Sequence, residues 1–225
     1  VSYVLHHCEG DMKFQTRWGP LNYVRPDNDA TLRTINFLAS IEEDKVKDAF
    51  QVETKKFDKK TLWEFIGLED ARLVRWNDKL YLCGCRRDVN YDGESRMELS
   101  EIKIDGNKVK EISRIRIPTP QDSDSYCEKN WVPILDMPYH FIKWTNPTEV
   151  VKVDPTPVKK YNKELKTKIT WAKSAKTIYH GGDKVIKGLP DQKGSSQVIT
   201  VGDYRMAVVH ESYFWKNEKN DRDAV

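Results

Sequence analysis

At 225 residues the chain has room for one large domain or two small ones, and 38 Lys plus Arg against 35 Asp plus Glu leaves a formal charge of only +3. No basic tail gathers that charge, so a nucleic-acid binder is not expected, and no apolar run approaches the roughly 18 to 20 residues of a spanning helix, so a soluble cytoplasmic protein without membrane contact is expected. Four cysteines, Cys8, Cys83, Cys85 and Cys127, are too few and too irregularly spaced for a disulfide framework, so reduced thiols are expected; Cys83 and Cys85, two apart in a strand, would with His6, His7 and Cys8 also fit a zinc site, but burial as small apolar groups is the commoner fate and no metal is expected.

In chain order, short runs of Val, Ile, Tyr, Trp and Phe predict β-structure almost throughout, and only residues 42–50 read as a helical turn. Leu32-Arg33-Thr34-Ile35-Asn36-Phe37-Leu38 begins the first strand unit. Gly67-Leu68-Glu69-Asp70-Ala71-Arg72-Leu73-Val74 is the most informative stretch, because it places two carboxylates and an arginine at the mouth of an apolar run. Such charges are costly to bury unless paired or used, and neighbouring carboxylates are raw material for separating an acid from a base. Strands are predicted over 71–76, 79–87, 96–104 and 108–117, joined by an Asn77-Asp78 turn, a polar loop over 89–95 and an Asp105-Gly106-Asn107 turn. Four antiparallel strands in roughly fifty residues make one propeller blade.

The layout recurs. Cys127-Glu128-Lys129-Asn130-Trp131-Val132-Pro133-Ile134 again sets polar side chains before a strand, followed by strands over 139–144 and 149–153. Lys193-Gly194-Ser195-Ser196-Gln197-Val198-Ile199 repeats the pattern, followed by a Gly202-Asp203 turn and a long strand over 204–213. The expectation is a single all-β propeller domain over 1–225, with blade-like units near 20–60, 67–118, 127–172 and 193–225. Innermost blade strands run along a central axis, so Arg33, Asn36, Glu69, Asp70, Arg72, Glu128, Lys129, Asn130, Ser196 and Gln197 are predicted to converge there. Carboxylates and amides suit sugar hydroxyls, tryptophan such as Trp131 suits a pyranose face, and cations suit phosphate.

The Gly-Leu-Glu-Asp-Ala-Arg-Leu, Glu-Lys-Asn-Trp-x-Pro, Gly-Ser-Ser-Gln-x-Ile and Ala207-Val208-Val209-His210-Glu211 segments, in this order over residues 30–215, resemble the five-bladed propellers of glycoside hydrolase family 130. That family comprises β-mannoside phosphorylases and mannosidases, and related propellers accompany bacterial and viral glycosyltransferases. The resemblance implies five blades and inverting cleavage or transfer of a mannosyl-type group by phosphorolysis, hydrolysis or transfer. It implies Asp70 as acid and Glu128 as base or electrostatic stabiliser. Arg72, Lys129, Arg33 and His210 would then hold an anionic acceptor, inorganic phosphate being a co-substrate and no other cofactor being required. The chain departs from the family pattern in lacking an Asn-Pro motif and first-blade aspartate before Arg33, with Arg25-Pro26-Asp27 a weak substitute. It also carries Lys193 where arginine is usual, and it stops at Val225 where a closing strand is expected.

Competing readings stand beside these. Glu69, Asp70 and Arg72, or Glu128 and Lys129, would also serve as structural ion pairs. Trp131, Trp144, Trp171 and Trp215 would also serve as packing groups, His210 as a hydrogen-bonded structural histidine, and the lysines at 159, 160, 163, 166 and 168 as a solvated loop. A propeller with the same pocket but no acid would be a glycan-recognition module.

Overall fold

In the computed structural model, residues 32–58, 60–121, 123–181 and 192–211 are described with their side chains, and residues 2–9, 13–16, 19–22, 214–216 and 222–224 as backbone strands. Every regular element among them is a strand. Strand β1 (Ser2–Glu9) pairs antiparallel with the strand over Leu32–Glu42, and β2 (Lys13–Thr16) pairs with β3 (Gly19–Asn22). The hairpin of β4 (Leu32–Glu42) and β5 (Lys45–Glu53) turns through Glu43 and Asp44, both at positive φ, 48° and 63°. This corrects the helical turn expected over 42–50: the acidic tip adopts the left-handed hairpin geometry, and pairing with β4 outweighs local helix propensity.

After β6 (Phe65–Ile66), a short parallel partner of β4, comes an antiparallel meander of β7 (Glu69–Trp76), β8 (Lys79–Arg86), β9 (Arg96–Asp105) and β10 (Lys108–Arg116). Its turns are those the sequence predicts, with Asn77 and Asp78 at φ 49° and 61° and Gly106 at 56°. A second meander follows: β11 (Val132–Pro133), β12 (His140–Thr145), β13 (Thr148–Asn162) and β14 (Thr167–His180). The unit expected over 127–172 thus runs on to His180, and the lysines at 159–168 belong to a long hairpin and its turn, not to a loop. Cross-strand pairing along residues 157–172 extends the ribbon where composition alone suggested only solvation.

The remaining strands are short: β15 (Gln192–Gly194) pairs β18 (Val209–Glu211), β16 (Ile199–Val201) pairs β17 (Tyr204–Met206), and β19 (Phe214–Lys216) pairs β20 (Arg222–Ala224). The single strand predicted over 204–213 is therefore broken after Met206, while residues 212–213 lie outside the described residues, as do residues 23–31 with Arg25, Pro26 and Asp27.

Short parallel contacts join β5 to β10 (Val52 opposite Val109) and β10 to β14 (Arg116 opposite Trp171), so the β4–β5 hairpin and both meanders form one continuous 12-stranded sheet, and three apolar cores lie between its folded sections in chain order. Leu38 and Val52 of the β4–β5 hairpin pack against Leu82, Ile102 and Val109 of the first meander. The opposite face of that meander, Val74, Trp76, Tyr81, Cys83, Cys85 and Leu99, packs against Trp131, Phe141, Val151 and Ala175 of the second. The far side of the second meander, Val132 with Ile142 and Val150, meets Val198. A sheet buried on both faces is apolar on both, which is why β8 reads as a continuous run and not as an alternation. Trp76 anchors the central core: its ring meets Phe141 edge-on at 5.5 Å between centroids, and its Nε1 donates to Ile134 O at 3.1 Å.

Candidate functional site

The start of β7 carries the geometry. Between Glu69 and Arg72 the register with β8 slips, and Asp70 sits in this bulge with φ +49° and its side chain exposed. Aspartate and asparagine are the non-glycine residues that tolerate the left-handed region best, and bulges re-aim side chains at sheet edges and sites. In the second polar segment Asn130 adopts the same conformation, φ +60°.

Gly84, in the facing strand, makes the bulge sterically possible. A Cβ there would lie 2.4 Å from Glu69 O and 2.9 Å from Leu68 Cγ. Gly84→Ala is expected to push β7 and β8 apart at the bulge, costing about 1–3 kcal/mol as overpacking does. A urea midpoint equal to that of the native chain would show that the bulge does not need this glycine.

Arg72 ties the bulge to a segment more than a hundred residues away in sequence. Its Nη1 donates to Asp70 O (3.0 Å), its Nε to Ser195 O (3.1 Å) and its Nη2 to Gly194 O (2.7 Å). Gln197 Nε2 donates to Leu73 O at 2.8 Å, so both termini of the 194–197 segment are stitched to β7. At Gly194 the backbone passes so close to the second polar segment that a Cβ would lie 2.7 Å from Asn130 O and 2.0 Å from Val132 Cγ2. Ser196 Oγ accepts from Val208 N and donates to Gln197 O, both at 2.8 Å, and Ser195 Oγ lies 2.6 Å from His210 Nδ1.

Burial pushes the Glu69 carboxyl above the usual carboxylate range; the Asp70 charge adds to the shift, while Arg87 and Lys129 oppose it. Lys129 itself is exposed. Glu69, Asp70, Arg72, Lys129, Asn130, Ser196, Gln197 and His210 thus belong to one neighbourhood built from three distant segments.

Three expected participants are engaged elsewhere. Glu128 turns inward, accepting from Trp131 Nε1 at 2.9 Å, with Lys143 Nζ 3.1 Å from its other oxygen and Glu149 3.9 Å beyond that ammonium. Trp131 is 1% exposed, so its ring packs in the core and presents no face to a sugar. Asn36, also buried, donates from Nδ2 to Leu68 O at 3.1 Å, which attaches β4 to the start of β7. Cys83 and Cys85 share the core-facing side of β8, and burial raises both thiol pKa values far above normal, as suits inert packing groups.

Beside this neighbourhood, a cavity of about 340 Å³ opens between the β4–β5 hairpin and the first meander, lined by Arg33, Asn36, Lys55, Asp58, Arg86 and Arg114 among others. Asn36 Oδ1 is buried without a hydrogen-bond partner. The cavity wall leads into an ionic cluster that sequence reasoning missed. Arg86 Nη2 and Arg114 Nη1 both reach Asp58 Oδ1 at 2.8 Å, and Arg114 forks onto Glu111 at 2.7 and 2.6 Å. Arg116 Nη1 donates to Glu98 Oε1 at 3.1 Å, while Glu98 Oε2 lies 3.6 Å from Arg86 Nε and 3.8 Å from Arg114 Nε. The available signal was the same-face placement of Glu98 and Ser100 on β9 with Arg114 and Arg116 on β10, charges where a buried sheet face should be apolar.

Burial works against the Asp58 carboxylate, but the Arg86 and Arg114 guanidinium groups outweigh it and hold its pKa below the usual value. A lowered carboxylate pKa stabilises the fold above the unfolded pKa of about 3.9, and this contribution disappears as pH falls through the folded value. The stability gap between the native chain and Asp58→Asn should therefore be widest near neutrality and narrow below about pH 4. A gap constant from pH 7 to 3 in urea titrations would refute the assignment.

Comparison with known proteins returns no match to any protein family, curated protein or solved structure.

Proposed function

We propose that the chain is a carbohydrate-active β-propeller, five-bladed and of the glycoside hydrolase family 130 type, that cleaves or transfers a mannosyl-type group with inversion. The observation that carries this reading is the knitting of three remote segments by Arg72, Gln197 and Gly194 around a left-handed bulge that presents Asp70 to solvent. The serial order of the hairpin, the two meanders and the segment around Val198, with an apolar core between each and the next, supports the propeller architecture.

In this mechanism Asp70 protonates the glycosidic oxygen as the bond to the sugar breaks. Glu69 stands behind Asp70, its carboxyl pushed above the usual carboxylate range by burial. Glu128, bonded to Trp131 and beside Lys143, has no free lone pair facing solvent and acts as a positioning charge instead of a base. A nucleophile attacking without a base must already be an anion, which favours inorganic phosphate over water. Lys129 and His210, both exposed near the bulge, are the groups to receive that phosphate, whereas the Arg72 guanidinium is engaged by backbone carbonyls.

The second reading, a glycan-recognition module, is favoured by one observation: Arg72 and Glu128 both act within the fold, leaving Asp70 as the exposed carboxylate of the motif segments. Incubation with β-manno-oligosaccharides, with and without phosphate, separates the two. Phosphate-dependent release of a sugar 1-phosphate supports phosphorolysis, free sugar points to hydrolysis, and binding without product replaces the enzyme with the module.

A further inference from the structure

Residues 148–180 contain eight lysines, no arginine and three acidic residues, so this stretch carries a formal +5 while the rest of the chain carries −2. All eight lysines are exposed. The acids do not neutralise them: Glu149 is buried and accepts from Thr177, Glu164 accepts from Tyr91 N at 2.5 Å, and Asp154 lies 3.8 Å from Lys173 alone. The other seven lysines have no carboxylate within 4.0 Å among the described residues. Lys152 even stands directly opposite Lys176 across β13 and β14, a like-charge pair that disfavours the sheet.

This charge lies on a built scaffold. β13 and β14 run for 15 and 14 residues, and along residues 157–172 their backbones pair with each other, with one bridge from Trp171 to Arg116. An isolated two-stranded ribbon is marginal in water. Here Asn162 Nδ2 donates to Val89 O at 3.0 Å, Glu164 accepts from the adjoining loop, and the Trp171 ring lies under Arg116 (5.5 Å) and Lys160 (5.3 Å). At its outer end Tyr161, 61% exposed, faces Lys168 across the ribbon, with Lys159 two residues along on the same strand.

We propose that this ribbon is a docking surface for an acidic polysaccharide, whose carboxylates meet the lysines while sugar faces stack on Tyr161. The inference rests on the carbohydrate reading above for its choice of polymer. Nucleic acid is the less fitting polyanion, because phosphate recognition relies heavily on the forked donors of arginine and the ribbon has none. Lysine supplies separated point charges that suit carboxylates spaced along a sugar chain.

The test uses the full chain and a fluorescent polymannuronate oligosaccharide, read by anisotropy, beside neutral β-mannan and single-stranded DNA of equal charge. Polymannuronate is expected to bind most tightly and to weaken steeply as salt rises from about 50 to 200 mM. Replacing Lys159, Lys163, Lys166 and Lys168 by Gln, with Lys160 kept on Trp171, should weaken it about tenfold or more, with the thermal midpoint unchanged. Sugar release from short neutral mannosides should stay at the native level in this variant. Equal binding by the variant, equal binding of neutral mannan, or tighter binding of DNA would each overturn the proposal. Loss of mannoside turnover in the native chain, with lysine-dependent polymannuronate binding intact, would sink the enzymatic reading alone.

Discussion

Asp70→Asn is expected to lower turnover of β-manno-oligosaccharides by about 10²- to 10⁴-fold, the usual contribution of a positioned general acid, while substrate binding and the unfolding midpoint stay close to native. The amide keeps the size and hydrogen-bonding shape of the carboxyl and, like aspartate, tolerates φ +49°. It has no proton to give. Backbone and side chain are separated by two further variants: Asp70→Gly should fold at least as stably as the native chain, whereas Asp70→Ala should be about 1 kcal/mol less stable than the glycine variant. Both should be inactive. A glycine variant with retained activity would mean that the bulge shapes the loop and the carboxylate does nothing. Glu69→Gln should be milder in kcat, since that carboxyl stands behind the acid, and should move the pH profile because burial raises its own pKa; no movement of the profile would remove Glu69 from the mechanism.

Glu98→Gln carries the largest expected loss of stability, about 3–5 kcal/mol, the range for breaking a buried ion pair from one side. Glu98 is 2% exposed and faces Arg116, Arg86 and Arg114 together. Removing its charge leaves Arg86 to Asp58 and Asp88 (2.8 and 3.3 Å), Arg114 to Asp58 and Glu111 (2.8 and 2.6 Å), and Arg116 with only the Glu94 carboxylate, at 4.0 Å, among the described residues. The lost free energy should appear as a lower urea midpoint with an unchanged slope. Because the cluster lines the cavity between the β4–β5 hairpin and the first meander, partial opening between those sheets would instead lower the slope. A loss below about 1 kcal/mol would place the cluster with surface ion pairs and contradict its burial.

The β-strands and tight turns of the first meander were legible because they depend on neighbours in sequence: β-branched and aromatic runs favour strands, and Asn77-Asp78 and Asp105-Gly106-Asn107 supply the positive φ of hairpin turns. The turn at Glu43-Asp44 differs from the expected helical turn because three acids followed by Lys45 and Lys47 also fit a helix, and only the pairing of β5 with β4 decides between them. The polar segments at 67–72, 127–131 and 193–197 were legible as a recurring pattern. Which of their side chains face solvent was not, since Glu128 and Asp70 look equivalent in sequence until Trp131 and Lys143 claim one of them.

By itself, then, the sequence determined the all-β class, the turns and the repeated polar starts of strands, all properties of local conformation and composition. The tertiary structure decided which charges pair. It turned Arg72 toward the carbonyls of residues 194 and 195, sank Glu98 among arginines and gathered the lysines of residues 148–180 onto one ribbon. The physical reason is that electrostatic and hydrogen-bond energies depend on distances through space, and segments more than a hundred residues apart acquire those distances only when the sheets pack.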